Sequence, residues 1–517
     1  MSILTVEKLS HSFGGRTIFE DVSFRLLKGE HVGLVGANGE GKSTFMKIIT
    51  NQLKPEEGKI TWANKIKVGY LDQHASLNEE DSIYDVLKGA YEELVSIEAN
   101  IMKAYESMAD IDEEQMNQLL EEIGIMQEHL ENHDYYNVDY KINDIAKAFD
   151  LLDLNLETKV SKCSGGQRTR ILMAKLLLMK PDILLLDEPT NYLDESHIDW
   201  LKEYLINYEN AFILISHDIP FLNDVVNRIY HVEAPSLTRY VGDYNEFKRI
   251  YEINKMQLEK AYDRQQQEIA KMEDFVARNK ARVATRGMAN SRMKKLEKIE
   301  RIELKGEKPK PTFNFKMGKT PSRVIVEATN LVIGYSEPLS KPMDILIEKG
   351  ERVVLVGANG LGKTTLINTL LENIEKLDGD IHLQSGLQVG YFEQEVSASN
   401  DTCIDELWKT YPSYSQYEIR SALARCGLTT EQIESRVKVL SGGEQAKLRL
   451  CKIMNTEHNI LVLDEPTNHL DQEAKDELSK AIKEYPGTII LVCHEREFYK
   501  DLVTRVINLE NYTLKHF

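Results

Sequence analysis

Nowhere does the chain hold the roughly 18 to 20 consecutive apolar residues that a membrane-spanning helix needs. Its start, MSILTVEKLS, has no charged segment leading into an apolar one. Neither a membrane span nor a secretory leader is expected, and a cytoplasmic protein is. Paired cysteines are missing too: Cys163, Cys403, Cys426, Cys451 and Cys493 are scattered with no CxxC among them, so no disulfide framework or zinc site is indicated. Positive charge is short, with 64 Lys and Arg against 83 Asp and Glu and a net charge of −19. Taken alone, that argues against a nucleic-acid partner, because phosphate binding needs a basic excess. Apolar residues are not short, and 42% over 517 residues supports two to four domains with cores of their own.

The chain repeats itself. GANGEGKSTF at 36–45 returns as GANGLGKTTL at 357–366, and GYLDQ at 69–73 as GYFEQ at 390–394, both at an offset of 321. SGGQ at 164–167 then matches SGGE at 441–444, LLLDEPTNYLD at 184–194 matches LVLDEPTNHLD at 461–471, and SHD at 216–218 matches CHE at 493–495, all at 277. The first copy therefore carries about 44 extra residues between its GYLDQ and SGGQ segments. They are placed within 82–140, where long runs without proline read as a helical hairpin. Residues 91–134 hold thirteen Asp or Glu and one Lys, a solvated acidic face at the least.

Residues 244–310 belong to neither copy. Phe247, Tyr251, Leu258, Tyr262, Ile269, Met272 and Val276 form a heptad-like seam, which predicts a long helix with a helical partner. TRGMAN at 285–290 breaks it, and MKKLEKIERIEL reads as a shorter returning helix. Its far end, 275–298, holds Arg278, Lys280, Arg282, Arg286, Arg292, Lys294, Lys295 and Lys298 against Glu297 alone, a local exception to the acidic whole.

Gly36, Gly39, Gly41, Lys42 and Ser43 satisfy GxxxxGK[ST] directly after the apolar strand HVGLV, and Gly357, Gly360, Gly362, Lys363 and Thr364 repeat the pattern. Glycines let the backbone wrap phosphates, with Ala37, Asn38 and Thr44, or Ala358, Asn359 and Thr365, completing each loop. The lysine reaches the β and γ phosphates, and the hydroxyl ligates magnesium. Asp187 and Asp464 end the apolar runs ILLL and ILVL, where a carboxylate at the end of a buried strand can hold magnesium. Glu188 and Glu465 follow and can orient or deprotonate an attacking water. His217 and His494 follow FILI and IILV at strand ends that bring them toward the γ-phosphate.

The order of these motifs resembles the ATP-binding cassette (ABC) superfamily, in which the SGGQ signature of one cassette completes the ATP site on the other. The resemblance implies one site from Lys42, Ser43, Gln73, Asp187, Glu188 and His217 with Ser441, Gly442 and Gly443. The other combines Lys363, Thr364, Gln394, Asp464, Glu465 and His494 with Ser164, Gly165 and Gly166. Gln73 and Gln394 join the magnesium sites, and Phe13 and Tyr335 fall where the family stacks adenine. Cys163, Glu444 and Cys493 depart from the usual residues, and none removes a group assigned to chemistry.

Tandem cassettes, an insertion in the first and a basic hairpin between them resemble the ABC-F family over the whole chain. The implied fold is α/β: a first ATP-binding domain at 1–237, with a helical arm at about 82–140, a helical hairpin linker at 238–320, and a second ATP-binding domain at 321–517. The implied function is a Mg²⁺-dependent ATPase, a monomer whose cassettes pair within the chain and which has no stable membrane partner. Its implied partner is the ribosome: rRNA and P-site tRNA for the linker, ribosomal proteins near the E site for the arm. Translation rescue is favoured over antibiotic ribosome protection, because the linker turn is short and the chain stops at KHF. The alternative is the cytosolic ATPase of a membrane transporter.

Overall fold

Runs such as ILLL and FILI have no polar face, so they suit strands covered on both sides. The structure, a computed structural model, describes all residues except 1, 14–15, 72–76, 108–112, 280–285, 300, 303–309, 320–321, 336, 359, 394–398, 469 and 515–517. In it these runs form the centres of two sheets. The first has the order Val68–Leu71, Ile183–Asp187, Ala211–Ile215, His31–Val35, Arg228–Glu233, Ser236–Val241. Its first five strands are parallel and the last is antiparallel. The second repeats the order as Val389–Phe392, Ile460–Asp464, Thr488–Val492, Arg352–Val356, Arg505–Asn508, all parallel. Each is accompanied by a three-stranded antiparallel sheet, Arg16–Leu27, Ser2–Phe13, Glu57–Trp62 in one half and Met343–Glu348, Val324–Val332, Asp378–Leu383 in the other. The internal duplication is thus visible strand by strand.

The extra residues of the first copy also resolve into elements. Helices Ile83–Lys88 and Val138–Ala148 have counterparts in Cys403–Thr410 and Gln416–Arg425 of the second copy. Between the first two lie helices Glu92–Ser107 and Glu113–Asn132. They are antiparallel: Gln127 donates to the Tyr105 hydroxyl at 3.2 Å, and Tyr135 just beyond the second helix donates to Glu98. Leu94, Ile101, Ile123 and Leu130 fill the seam, which leaves the carboxylates outside.

The linker helix Tyr244–Asn279 runs 36 residues, about 54 Å at 1.5 Å per residue. Its root is an aromatic cluster in which Phe247 lies against His231, Tyr240, Tyr244 and Tyr251. Helix Arg286–Glu297 returns along its far part, where the Arg292 guanidinium sits 3.7 Å from the Phe275 ring centre. Further back, the Ile302 amide donates to Gln265. Twelve residues cannot cover thirty-six, so Ile253, Met256 and Leu258 stay exposed and only Phe247 and Ile269 are fully buried. The chain joins the second half before residue 321: Lys316–Met317 pairs with Glu457–His458, and Phe313 and Phe315 are buried in that half's core.

Candidate functional site

A loop that must bend tightly around an anion has little room for side chains, and the two glycine loops show it. Gly36, Gly39 and Gly41 have φ of 154°, 75° and 106°, and Gly357, Gly360 and Gly362 have 142°, 83° and 87°. A β-carbon on Gly36 would stand 2.3 Å from the Val232 carbonyl oxygen. Residues 36–44 and 357–365 each run from a central strand into a helix, Lys42–Ile49 or Lys363–Leu370, whose first amides face the loop. Lys42 donates to the Gly36 and Ala37 carbonyls at 2.8 and 3.1 Å, and Lys363 to those of Gly357 and Ala358 at the same distances. Burial lowers both lysine pKa values, and carboxylates oppose it: Glu188, Asp187 and Asp471 around Lys42, Glu465, Asp464 and Asp194 around Lys363. The last carboxylate named for each lysine comes from the opposite half of the chain.

Asp187 and Asp464 end buried strands, and the following glutamates turn sharply out of them. Glu188 and Glu465 both sit at φ 50°, a left-handed conformation that costs a non-glycine residue energy and is held by their amides bonding Ile215 and Val492. Glu188 accepts from the His217 amide at 3.2 Å, and its Oε1 lies 3.4 Å from His217 Nε2. Glu465 Oε1 lies 3.3 Å from His494 Nε2, while Oε2 accepts from Asn468 at 2.7 Å. The two carboxylates differ electrostatically. Burial raises Glu188 to about 7 against the pull of Lys42, whereas at Glu465 the burial penalty is outweighed by His494, Lys363 and Asn468, and its pKa falls. Burial likewise raises Asp464 to about 6, although the Thr364 hydroxyl donates to its Oδ2 at 2.7 Å. Its other oxygen, Oδ1, is buried with no hydrogen-bond donor among the described residues, as is Glu188 Oε1. An undonated carboxylate oxygen beside a hydroxyl fits a hard, oxygen-seeking cation such as Mg²⁺.

Ser164 and Ser441 cap helices Gly165–Leu178 and Gly442–Met454, each in a capping box closed by the residue three on, Gln167 or Glu444. Glutamate therefore replaces glutamine at 444 without loss of the cap, its carboxylate accepting from the Ser441 amide at 2.8 Å. The same side chain crosses between halves: a β-carbon on Gly39 would lie 3.1 Å from Glu444 Oε1. At the equivalent Gly360 nothing among the described residues comes within 4 Å. Ser441 is half-buried and Gly443 buried, whereas Ser164 and Gly165 are exposed and Gly166 half-buried. Glu444 thus approaches the Lys42 loop at Gly39, an approach without a counterpart among the described residues at Gly360.

Tyr335 stands 68% exposed next to Gly334. Phe13 ends the strand Ser2–Phe13, and its side chain, with Gln73, Gln394 and Asn359, lies outside the described residues. Cys163 is buried and its thiol is pushed up by burial, as expected of a packing residue. Of the basic residues, Lys294 and Lys295 are exposed and Arg278 pairs with Asp274 at 2.8 Å. Lys280 and Arg282 lie outside the described residues, and Arg286 opens the returning helix. Sequence reasoning passed over Asp194 and Asp471, although both end the repeated DEPTNxLD and each caps the helix after it.

Over residues 19–191 and 340–468 the chain matches a family described as ABC transporter, and over 230–315 a second family of the same description. It is 59% identical, over 100% of both chains, to a Bacillus subtilis (strain 168) protein called uncharacterized ABC transporter ATP-binding protein YfmM. ABC transporter F family member 2 of Arabidopsis thaliana is 35% identical over 98% of this chain and 76% of its own. Among solved structures, archaeal ribosome recycling factor aABCE1, in complex with stalk protein aP1, superposes with a TM-score of 0.57 at 21% identity, covering 97% of this chain and 87% of that one. That last likeness concerns the fold of two cassettes.

Proposed function

Because the chain belongs to the F family of ATP-binding cassette proteins, we propose that its two halves close on two ATP molecules and use their hydrolysis to act on the ribosome. ATPase activity comes with the family. In our reading the loop 36–44, Asp187, Glu188 and His217 form one site with Ser441, Gly442 and Gly443, and the loop 357–365, Asp464, Glu465 and His494 form the other with Ser164, Gly165 and Gly166. Ser43 with Asp187, and Thr364 with Asp464, would hold Mg²⁺, joined by Gln73 and Gln394, and Mg²⁺ would neutralise charge on the transferred phosphoryl group. Glu188 and Glu465 orient the attacking water, and His217 and His494 meet the γ-phosphate. Phe13 and Tyr335 stack on adenine.

The observation that carries the ribosomal reading is the linker. A helix of 36 residues leaves the body, is mostly exposed, and returns through a helix that presents Lys294 and Lys295 to solvent in a chain of net charge −19. Charge concentrated at one remote point suits RNA phosphates, for which sequence-independent contacts supply affinity. With a sequence turn this short, the action favoured is relief of impaired ribosomes in the cytoplasm rather than drug protection, with the hairpin toward P-site tRNA and rRNA and the acidic arm toward a basic ribosomal protein. Sedimentation of the Glu188→Gln, Glu465→Gln protein through a sucrose gradient with ATP tests this. Co-migration with ribosomes is expected; migration with the membrane pellet would replace the reading by that of a transporter motor.

A further inference from the structure

Asp194 and Asp471 hold equivalent positions, each capping a helix and each acting on the phosphate-loop lysine of the other half. They are anchored differently. In the second half Lys447 pairs with Asp471 Oδ2 at 3.1 Å. At the position equivalent to Lys447 the first half has Arg170, which donates instead to the Phe149 carbonyl. Asp194 is held by His197, whose equivalent in the second half is Ala474. His197 is 2% exposed, its Nδ1 lies 2.5 Å from Asp194 Oδ1, and its Nε2 lies 3.1 Å from Asp150 Oδ2. The ring is stacked flat over Phe149, at 5.8 Å and 5°.

Both ring nitrogens thus face carboxylate oxygens at close range, Asp194 on one side and Asp150 on the other. Asp150 itself sits at φ 51°, where the second half has Gly427 at φ 81°. Glycine is the residue suited to that helix-terminal conformation, so the first half accepts backbone strain in order to place a carboxylate behind His197. Ser196 and the His197 amide also donate to Asp194 Oδ1. Burial would raise the Asp194 pKa, but His197 and these donors hold it well below the usual carboxylate range.

The geometry points to His197 as a positioning residue for the ATP site of Lys363: clamped between Asp150 and Asp194, it fixes the Asp194 carboxylate that the first half presents to that site. The second half performs the same task for the Lys42 site with Lys447. The two sites thus depend on unlike side chains, a histidine ring for one and a lysine for the other. This inference rests on the cross-half reading of the sites proposed above.

Single-site backgrounds separate the effects, Glu188→Gln leaving turnover to the Lys363 site and Glu465→Gln leaving it to the Lys42 site. His197→Ala should slow ATP hydrolysis roughly 10- to 100-fold in the first background, the cost of a misplaced site group, and less than about twofold in the second. Adding Arg170→Lys to His197→Ala transplants the second half's arrangement and should restore much of the loss, which a merely structural histidine would not allow. Asp150→Asn should weaken the same site in the same direction without touching Asp194. Unchanged turnover at the Lys363 site, or equal loss at both sites with no rescue, overturns the inference. Ser164→Arg serves as the control: if it too spares the Lys363 site, the cross-half reading itself has failed, whereas an effective Ser164→Arg beside a silent His197→Ala removes His197 alone.

Discussion

Glu188 Oε1 and His217 Nε2 stand 3.4 Å apart at the ends of neighbouring parallel strands, and Glu465 and His494 repeat the pair at 3.3 Å. Glutamine is nearly the shape of glutamate but cannot take a proton from water. Glu188→Gln with Glu465→Gln should therefore keep ATP binding and lower hydrolysis about 10²- to 10⁴-fold. Phosphate release under saturating ATP, alongside retained nucleotide after gel filtration, measures both halves of this statement. Hydrolysis at the parental rate would remove the assignment.

Glu444 Oε1 comes close to Gly39, so the last residue of the second signature lies beside the first phosphate loop. Ser441→Arg should consequently impair the Lys42 site and Ser164→Arg the Lys363 site, each remote in sequence from the damage it causes. Photo-crosslinked nucleotide, mapped to one half or the other by limited proteolysis, reports which loop lost its ligand. Damage confined to the mutated half would contradict the arrangement.

Thr364 donates to Oδ2 of the buried Asp464 carboxylate at 2.7 Å. Thr364→Val leaves that oxygen without this donor, at a cost of about 1–3 kcal/mol to folding in the absence of metal. It should also raise the Mg²⁺ concentration needed for half-maximal hydrolysis. Thermal melts with and without Mg²⁺ test the pair of effects, and a variant melting like its parent in EDTA would count against the role given to Asp464.

Tyr335 is exposed enough that its removal should leave the melting temperature unchanged. If its ring stacks on adenine, Tyr335→Ala weakens ATP binding by about 0.5–1.5 kcal/mol, roughly 2- to 12-fold. A fluorescent ATP analogue titrated into parent and variant gives the answer directly. Equal affinity would assign the ring to another surface.

Lys294 and Lys295 are exposed on the returning helix, whereas Arg292 also packs on Phe275, so the two lysines are the cleaner probe. Lys294→Glu with Lys295→Glu should weaken ribosome co-sedimentation and flatten its salt dependence by roughly one unit of log-log slope per lost phosphate contact. ATPase activity without ribosomes should be unaffected. Undiminished pelleting at every salt concentration would take the hairpin out of RNA recognition.

Local sequence made the phosphate loops, the buried strands and the duplication legible, because each depends on neighbours in the chain: glycines before a lysine, apolar runs ending in Asp187 and Asp464. The change of offset placed the helices Glu92–Ser107 and Glu113–Asn132 in the right interval for the same reason. The heptad seam showed which face of the linker helix is apolar but not how far a partner covers it, and Leu258 is left 48% exposed where the shorter returning helix does not reach. Contacts made between halves were illegible. Glu444 reads as an oddity until Gly39 is beside it. His197 has no repeat partner to single it out, since its counterpart is Ala474 and the carboxylate behind it replaces a glycine.

The helix Tyr244–Asn279 is rooted in aromatic rings of the first half, yet the second half is within reach of the same root. Burial, and after it the carboxylate of Asp476, raises the Tyr244 phenol, and burial, then Glu233 and to a lesser degree Glu473, raises that of Tyr251 to about 12. Asp476 and Glu473 belong to the helix that Asp471 caps. The root therefore lies near acidic groups of both halves, and the helix's length makes it a long lever arm. An unbroken rod of about 54 Å converts a tilt of about 10° at the root into a sweep of roughly 9 Å at its far end. A tilt of that size where the halves meet would reach the tip as a displacement on the scale of a nucleotide.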